Sequence, residues 1–227
     1  MRAIALVLSA VVLMAVASGA QAPVQLTGPT DEQIKLSDIE VRRLVSLLKL
    51  QPGMRIADVG AGLGAWTIQF ARWTGTSGHV YATDISDEAL SILPSVVARE
   101  GLSNVTILTG ANDSTNLPAE CCDAILTRNV YHYLIEPAAM NRSFAAALKP
   151  GGRLAVVDFP PRPNTTPPPG VPANRGGQGV PPEIVEAEVG VVLRHVTTVP
   201  NWAPEGVPDW VPKTVAPPFV AIFEKVK

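Results

Sequence analysis

Short apolar runs alternate with stretches of helical spacing between residues 53 and 159. The runs at 55–59, 79–85, 105–109, 123–127 and 153–159 are predicted strands, and 65–73, 87–100 and 137–148 are predicted helices. An earlier stretch, 34–50, places apolar residues at 36, 39, 44, 47, 48 and 50, close to helical spacing, and Pro52-Gly53 ends it. Strand–helix alternation at this spacing predicts a parallel sheet with right-handed crossovers, an α/β fold.

The alternation stops after Phe159. Nine prolines fall from Pro160 to Pro182, interleaved with Gly170, Gly176, Gly177 and Gly179, so this stretch is predicted to be a long irregular loop. A short helix at 182–189 follows, and then two strands, 192–199 and 219–226, flank a second proline-containing loop. With few residues between them, these strands are expected to pair antiparallel. Trp202 and Trp210 in the second loop are expected to cover the apolar edge of that hairpin, the alternative being a cover over an acceptor pocket. No internal repeat is visible.

The chain has 227 residues, 47% hydrophobic and 17% charged, with a formal net charge of −2. That supports one domain with a sizeable core. No basic run exceeds Arg42-Arg43, which argues against a nucleic-acid partner. Arg2, the uncharged run 3–20 and the small residues of 17–22 have the order of a secretory signal, with cleavage after Ala20 favoured over Ala22 because Pro23 would then lead the chain. The expected organisation is a signal or anchor at 1–22, a leader and helix at 23–52, and a domain at 53–227 containing the proline-rich loop 160–182. The expected location is periplasmic or secreted, or membrane-anchored if the run stays uncut. No Cys follows that run, so there is no lipoprotein attachment site. The two cysteines, Cys121 and Cys122, are adjacent, which excludes a framework disulfide and favours two small buried residues entering a strand. No nearby His or Cys supports a metal.

Candidate chemistry begins at the first strand, which runs into Gly60, Ala61, Gly62 and Gly64 and then a helix. Such glycines let backbone approach a ligand where a Cβ would clash. Asp84, at the end of the next strand, is placed to accept the two hydroxyls of a ribose. Gly60-x-Gly62-x-x-Ala65 also satisfies the looser dinucleotide pattern, but Asp58 would meet a pyrophosphate with like charge. A sulfonium and an ammonium, as in S-adenosylmethionine, would be favoured by that carboxylate. Asn112 and Asp113 follow the third strand and suit an adenine amine, and a terminal hairpin is not the usual end of a dinucleotide domain.

The segments IADVGAGLGAWT, GHVYATDIS, NVTILTG, CCDAILTRNVYHYL and ALKPGGRLAVVDF occur in that order. As an ordered set they resemble class I S-adenosylmethionine-dependent methyltransferases, in particular bacterial small-molecule types with a Tyr-His pair after the fourth strand. The resemblance implies a doubly wound, Rossmann-like sheet of seven strands, mostly parallel with an antiparallel C-terminal strand. It implies that Gly60, Ala61, Gly62 and Gly64 cradle the cofactor, with Asp58 near its methionine part, Asp84 on the ribose and Ile85 packing the adenine. Adenine contact falls on Asn112 or Asp113, since Ala111 stands where many relatives have an acid. Arg128, Asn129, Tyr131, His132 and Tyr133 crowd one strand end beside the expected methyl group, Arg128 and Asn129 as cofactor contacts. His132 is a candidate general base, a structural histidine being the alternative, and Tyr131 is a candidate partner in catalysis, with packing or cation-shaping by Tyr131 and Tyr133 as the favoured alternative. Asp158 ends the fifth strand, where a site role and loop capping are both open.

The function expected from this reading is methyl transfer from S-adenosylmethionine to a small-molecule acceptor. Two alternatives stand beside it. One is a non-catalytic nucleoside-binding domain, motivated by an export signal on a protein whose cofactor is made in the cytosol. The other is a nicotinamide-dependent oxidoreductase.

Overall fold

The computed structural model describes residues 27–203 and 216–226. The signal-like segment 1–22 and Trp210 lie outside the described residues. Thirteen elements follow one another as α1 (Asp31–Leu48), β1 (Arg55–Val59), α2 (Ala65–Thr74), β2 (His79–Asp84), α3 (Asp87–Arg99), β3 (Val105–Thr109), β4 (Cys122–Arg128), a single 3-10 turn (Tyr131–Tyr133), α4 (Pro137–Ala147), β5 (Leu148–Asp158), α5 (Pro182–Val189), β6 (Arg194–Val199) and β7 (Phe219–Glu224). They build one seven-stranded sheet in the order β3-β2-β1-β4-β5-β7-β6. The first five strands are mutually parallel, and β7 runs antiparallel to both β5 and β6.

The central strands are apolar on both faces because both faces are covered. Ala57, Ile125, Leu154, Val156, Ala221 and Phe223 pack toward α4 and α5. Ile56, Ala124, Leu126, Ala155, Val157 and Ile222 pack toward α1 and α2 with Leu44 and Phe70. Continuous apolar runs, rather than alternating ones, are therefore the correct signature of these strands. No described helix is long and apolar enough to cross a membrane.

Two boundaries differ from the sequence expectation by three residues or more and one short element is added, each for a local reason. Helix α1 begins at Asp31 because Thr30 caps it: the Thr30 side chain accepts from the Gln33 amide while the Gln33 side chain accepts from the Thr30 amide. Strand β5 begins at Leu148, which pairs with Cys122 ahead of a register shift before Ala124. The Pro-Gly-Gly segment, which precedes the predicted strand at 153–159, thus lies within the strand, where the Gly151 amide donates to the Lys225 carbonyl (2.8 Å) and the Lys225 amide to the Gly152 carbonyl (2.9 Å). The 3-10 turn after β4 has no periodic signal, being only three residues long. Trp202 is buried against the sheet face covered by α1, as cover for the apolar core.

Gly152 carries this irregular pairing. A Cβ there would stand 2.9, 3.1 and 3.2 Å from the backbone oxygens of Lys149, Asp123 and Cys122. Backbone cannot swing aside, so Gly152→Ala is expected to cost about 1–3 kcal/mol of overpacking. Urea unfolding checks this, and unchanged stability would mean that the β4–β5 start is loosely held.

Candidate functional site

The turn after β1 places its glycines in left-handed backbone, with φ of 78°, 52° and 89° at Gly60, Gly62 and Gly64. Their reasons differ. A Cβ on Gly60 would come within 2.2 Å of Val130 Cγ2, and one on Gly64 within 2.9 Å of Leu93 Cδ2. At Gly62 nothing lies within 4 Å, so its missing side chain leaves open space rather than room for the protein itself. The turn is tied to β2 by the Gly60 and Ala61 amides, which donate to the Thr83 carbonyl at 2.8 and 3.0 Å. The Gly62 amide donates to Asp84 Oδ2 at 2.8 Å, and the Ser86 amide to Asp84 Oδ1 at 2.9 Å. These two bonds fix the carboxylate and leave other lone pairs of both oxygens free for a ligand.

Two cavities meet at Gly60. The larger, about 270 Å³, has Asp84 and Ile85 on one side, Ala111 and Asn112 on another, and Val130 and Leu134 opposite. The smaller, about 130 Å³, is bounded by Asp58, Gly62, Trp66, Arg128 and, from α1, Gln33. One lobe is thus largely apolar with a fixed carboxylate at its edge, and the other holds one acid and one base.

Asp58 is buried and its Oδ2 accepts from Thr67 Oγ1 at 2.7 Å. Burial raises its pKa to about 6; the Thr67 bond pulls the other way, and the neighbouring Asp84 charge adds to the rise. A cation entering the smaller lobe would relieve that penalty. Arg128 lies 4.0 Å above the Trp66 ring and donates through Nε to Glu40 Oε2 at 2.6 Å. Glu40, only 1% exposed, also accepts from Trp66 Nε1 at 2.7 Å and Trp202 Nε1 at 2.9 Å. Helix α1, strand β4, helix α2 and the second loop therefore converge on one carboxylate. Apolar periodicity alone does not point to this residue. Its signal was a charge four residues before buried Leu44, on the same face of the helix.

The remaining sequence candidates divide. Asn112 walls the larger cavity and Asp113 does not. Asn129 adopts φ 57°, and its buried Oδ1 has no partner among the described residues. It borders neither cavity. Tyr131 is a correction. Its hydroxyl donates to Glu188 Oε2 of α5 and accepts from Asn141 Nδ2 of α4, both at 2.9 Å, and it borders neither cavity. Burial pushes its pKa well above the ordinary phenol range. Tyr133, two residues on, walls the larger cavity instead, and its ring centroid lies 4.0 Å from that of His132. His132 is buried, with Nδ1 at 2.7 Å from Asp158 Oδ1. Cys121 and Cys122 are both buried and free, and no metal-binding group of three or more His, Cys, Asp or Glu occurs among the described residues.

Residues 56–152 match a family described as a methyltransferase domain. The ubiquinone/menaquinone biosynthesis C-methyltransferase UbiE of Vibrio parahaemolyticus is 32% identical over 110 residues, 48% of this chain and 42% of that protein. The protein of the same name from Teredinibacter turnerae is 35% identical over 120 residues, 51% and 47% of the two chains. The chain thus spans less than half the length of these relatives. Among solved structures, a SAM-dependent methyltransferase from Aquifex aeolicus superposes with a TM-score of 0.66 at 22% identity, covering 87% of this chain and 94% of that one. The [4+2]-cyclase SpnF also reaches 0.66, at 18% identity, covering 85% and 80%. At such identities the likeness speaks to fold alone. Residues 56–152 thus carry the methyltransferase-domain match, and the seven-stranded sheet has the fold of the solved SAM-dependent methyltransferase on which it superposes.

Proposed function

We propose that the protein transfers the methyl group of S-adenosylmethionine to a small-molecule acceptor. The observation that carries this reading is the pair of lobes joined at the glycine turn, with open space at Gly62 and opposite charges in the smaller lobe. The residues present fit the cofactor. Ile85 and Ala111 would hold the adenine, Asn112 its amine, and Asp84 the ribose hydroxyls. In the smaller lobe Asp58 would accept the ammonium. Arg128 would take the carboxylate through its two terminal nitrogens, which have no partner among the described residues. When bound, the cofactor supplies a methyl group made electrophilic by its sulfonium.

Within such a site the protein's own contribution is chiefly positioning. Methyl transfer is an in-line displacement, and holding two reactants in line removes much of the entropic barrier. Glu40 locks the Arg128 guanidinium against Trp66, and the Gly62 and Ser86 amides lock Asp84, so both contacts are oriented before the ligand arrives. The acceptor of the UbiE relatives is not carried over, because the family match ends at Gly152, before the proline-rich loop that follows β5.

We also propose that residues 1–22 direct export. The mature protein recovered from the periplasm of a bacterial host is expected to begin at Gln21; a chain retained in the cytosol with Met1 intact would overturn this.

Isothermal calorimetry with S-adenosylhomocysteine tests the cofactor reading directly. The chain lacking residues 1–22 is expected to bind, and Gly62→Val to lose binding while keeping its circular dichroism spectrum, because the new side chain occupies ligand space. Retained affinity in this variant would remove the turn from the site. Binding without methyl transfer to any acceptor would support the non-catalytic alternative.

Asp58 adds a pH dependence of defined sign. Its folded pKa of about 6 exceeds the ordinary 3.8, so its contribution favours the fold below pH 4 and is lost as pH rises through 6. A bound ammonium reverses the preference by stabilising the carboxylate. Affinity for S-adenosylhomocysteine should therefore be level above pH 6 and weaken about tenfold per unit below it, as a single proton competes. Titrations from pH 5 to 8 should show this in the native chain and a flat profile in Asp58→Asn. A flat native profile would place Asp58 outside the site.

A further inference from the structure

Three buried polar atoms at the end of β4 and just beyond it lack a partner among the described residues: Thr127 Oγ1, Asn129 Oδ1 and His132 Nε2. The last belongs to a side chain that is otherwise fully organised. Asp158, the buried final residue of β5, accepts from the His132 backbone amide at 3.1 Å and from the Phe159 amide at 2.8 Å. Its Oδ1 lies 2.7 Å from His132 Nδ1. A carboxylate held by two backbone donors offers only acceptors to a third group, so the shared proton sits on Nδ1. Nε2 is left with a lone pair and no donor to meet it. Such an atom costs free energy while it stays buried and unpaired. An imidazole fixed through one nitrogen, with the other unengaged, is the arrangement of a base.

The surroundings indicate what would reach it. His132 is 3% exposed, whereas Tyr133, whose ring lies 4.0 Å away, is 48% exposed and also walls the larger cavity. Ile135, 39% exposed, and Ile85, 61% exposed, continue an apolar rim around the same opening. Gly170 of the proline-rich loop packs over Ile135, a Cβ on it falling 3.6 Å from Ile135 Cγ2. The base is thus roofed by a half-exposed aromatic ring, and the rim beside it is apolar.

We propose that His132 Nε2 is the general base for an acceptor bearing a phenolic hydroxyl on a planar, largely apolar ring, with Tyr133 as the movable cover between base and cavity. This rests on the methyl-transfer reading above. A phenol keeps its proton near neutral pH, its pKa being about 10, and so needs a base where a carboxylate would not. In the step, the acceptor oxygen forms a bond to the methyl carbon as the carbon–sulfur bond breaks, its electron pair remaining on sulfur. The hydroxyl proton passes to Nε2, and the resulting imidazolium, held by Asp158, later returns that proton to water. Asp158 is a positioning residue that fixes the tautomer.

The test uses His132→Asn, whose amide nitrogen stands where Nδ1 stood and keeps the bond to Asp158 while removing Nε2. The native chain and this variant are titrated with S-adenosylhomocysteine and assayed with methyl-labelled S-adenosylmethionine against phenol, catechol, 4-hydroxybenzoate and 2-naphthol. At least one of these is expected to be methylated on oxygen, with kcat falling roughly 10²–10⁴-fold in the variant while KM and S-adenosylhomocysteine affinity hold. Nitrogen-15 spectra of histidine-labelled protein should show His132 protonated on Nδ1, moving to Nε2 in Asp158→Asn. An equal kcat in both proteins, an Nε2-protonated His132 in the native chain, or binding of S-adenosylhomocysteine with no phenol methylated would each overturn the proposal and leave the cofactor reading standing. Absence of S-adenosylhomocysteine binding by the native chain would remove both.

Discussion

Burial of the central strands on both faces is the constraint from which the rest of this molecule follows. A charged side chain within such a strand would meet apolar packing whichever face it chose, and an unpaired buried charge is costly. Charges are therefore displaced to the strand ends, Arg55, Asp123 and Lys149 on the amino side and four others on the carboxyl side. Asp58 is the penultimate residue of β1, Asp84 the last of β2, Arg128 the last of β4 and Asp158 the last of β5. In a parallel sheet the carboxyl ends lie at one edge, so exclusion from the core concentrates those four groups where the crossover loops leave a crevice.

Once gathered there, the charges must be held apart or paired. Arg128 is satisfied on one side by Glu40, and that carboxylate also receives the indole donors of Trp66 and Trp202. Replacing the group by an apolar residue would leave three donors without an acceptor, which explains a glutamate on the buried face of α1. Asp58 has no such partner beyond Thr67, and its raised pKa expresses that imbalance. The smaller lobe is thus organised around a base with one side committed and an acid that remains under-compensated, a pairing suited to a zwitterionic ligand end.

Much of the sheet could be read in advance because its strands are buried on both faces and its turns carry glycine. The pairing of 219–226 with the preceding strand followed from loop length. The features that escaped reading depend on tertiary context. The start of β5 at Leu148 needs the end of β7 to complete it, since the Gly151 amide and the Gly152 carbonyl find their partners on Lys225. Glu40 is meaningful only once Trp202, 162 residues away in sequence, folds onto it. The capping box at Thr30 was local and visible, and apolar periodicity alone passed over it. At the site, Asp58, Gly62, Asp84, Ile85, Asn112 and Arg128 were named in advance and border the two lobes.

The tyrosines show why spacing alone could not finish the site. Tyr131 and Tyr133 flank His132 symmetrically in sequence, and a strand would have turned both away from it together. The chain instead makes one 3-10 turn there, whose three residues per turn send successive side chains in three directions. Tyr131 turns inward to Asn141 and Glu188 beneath the Arg175 guanidinium, while Tyr133 turns out to the cavity and against the imidazole. The inward residue secures the turn to α4 and α5, and that anchorage lets the outward one stay exposed at the rim. Which tyrosine is structural and which faces the site is thus decided by a three-residue turn, and the position of His132 between them follows from Asp158, at the end of a different strand.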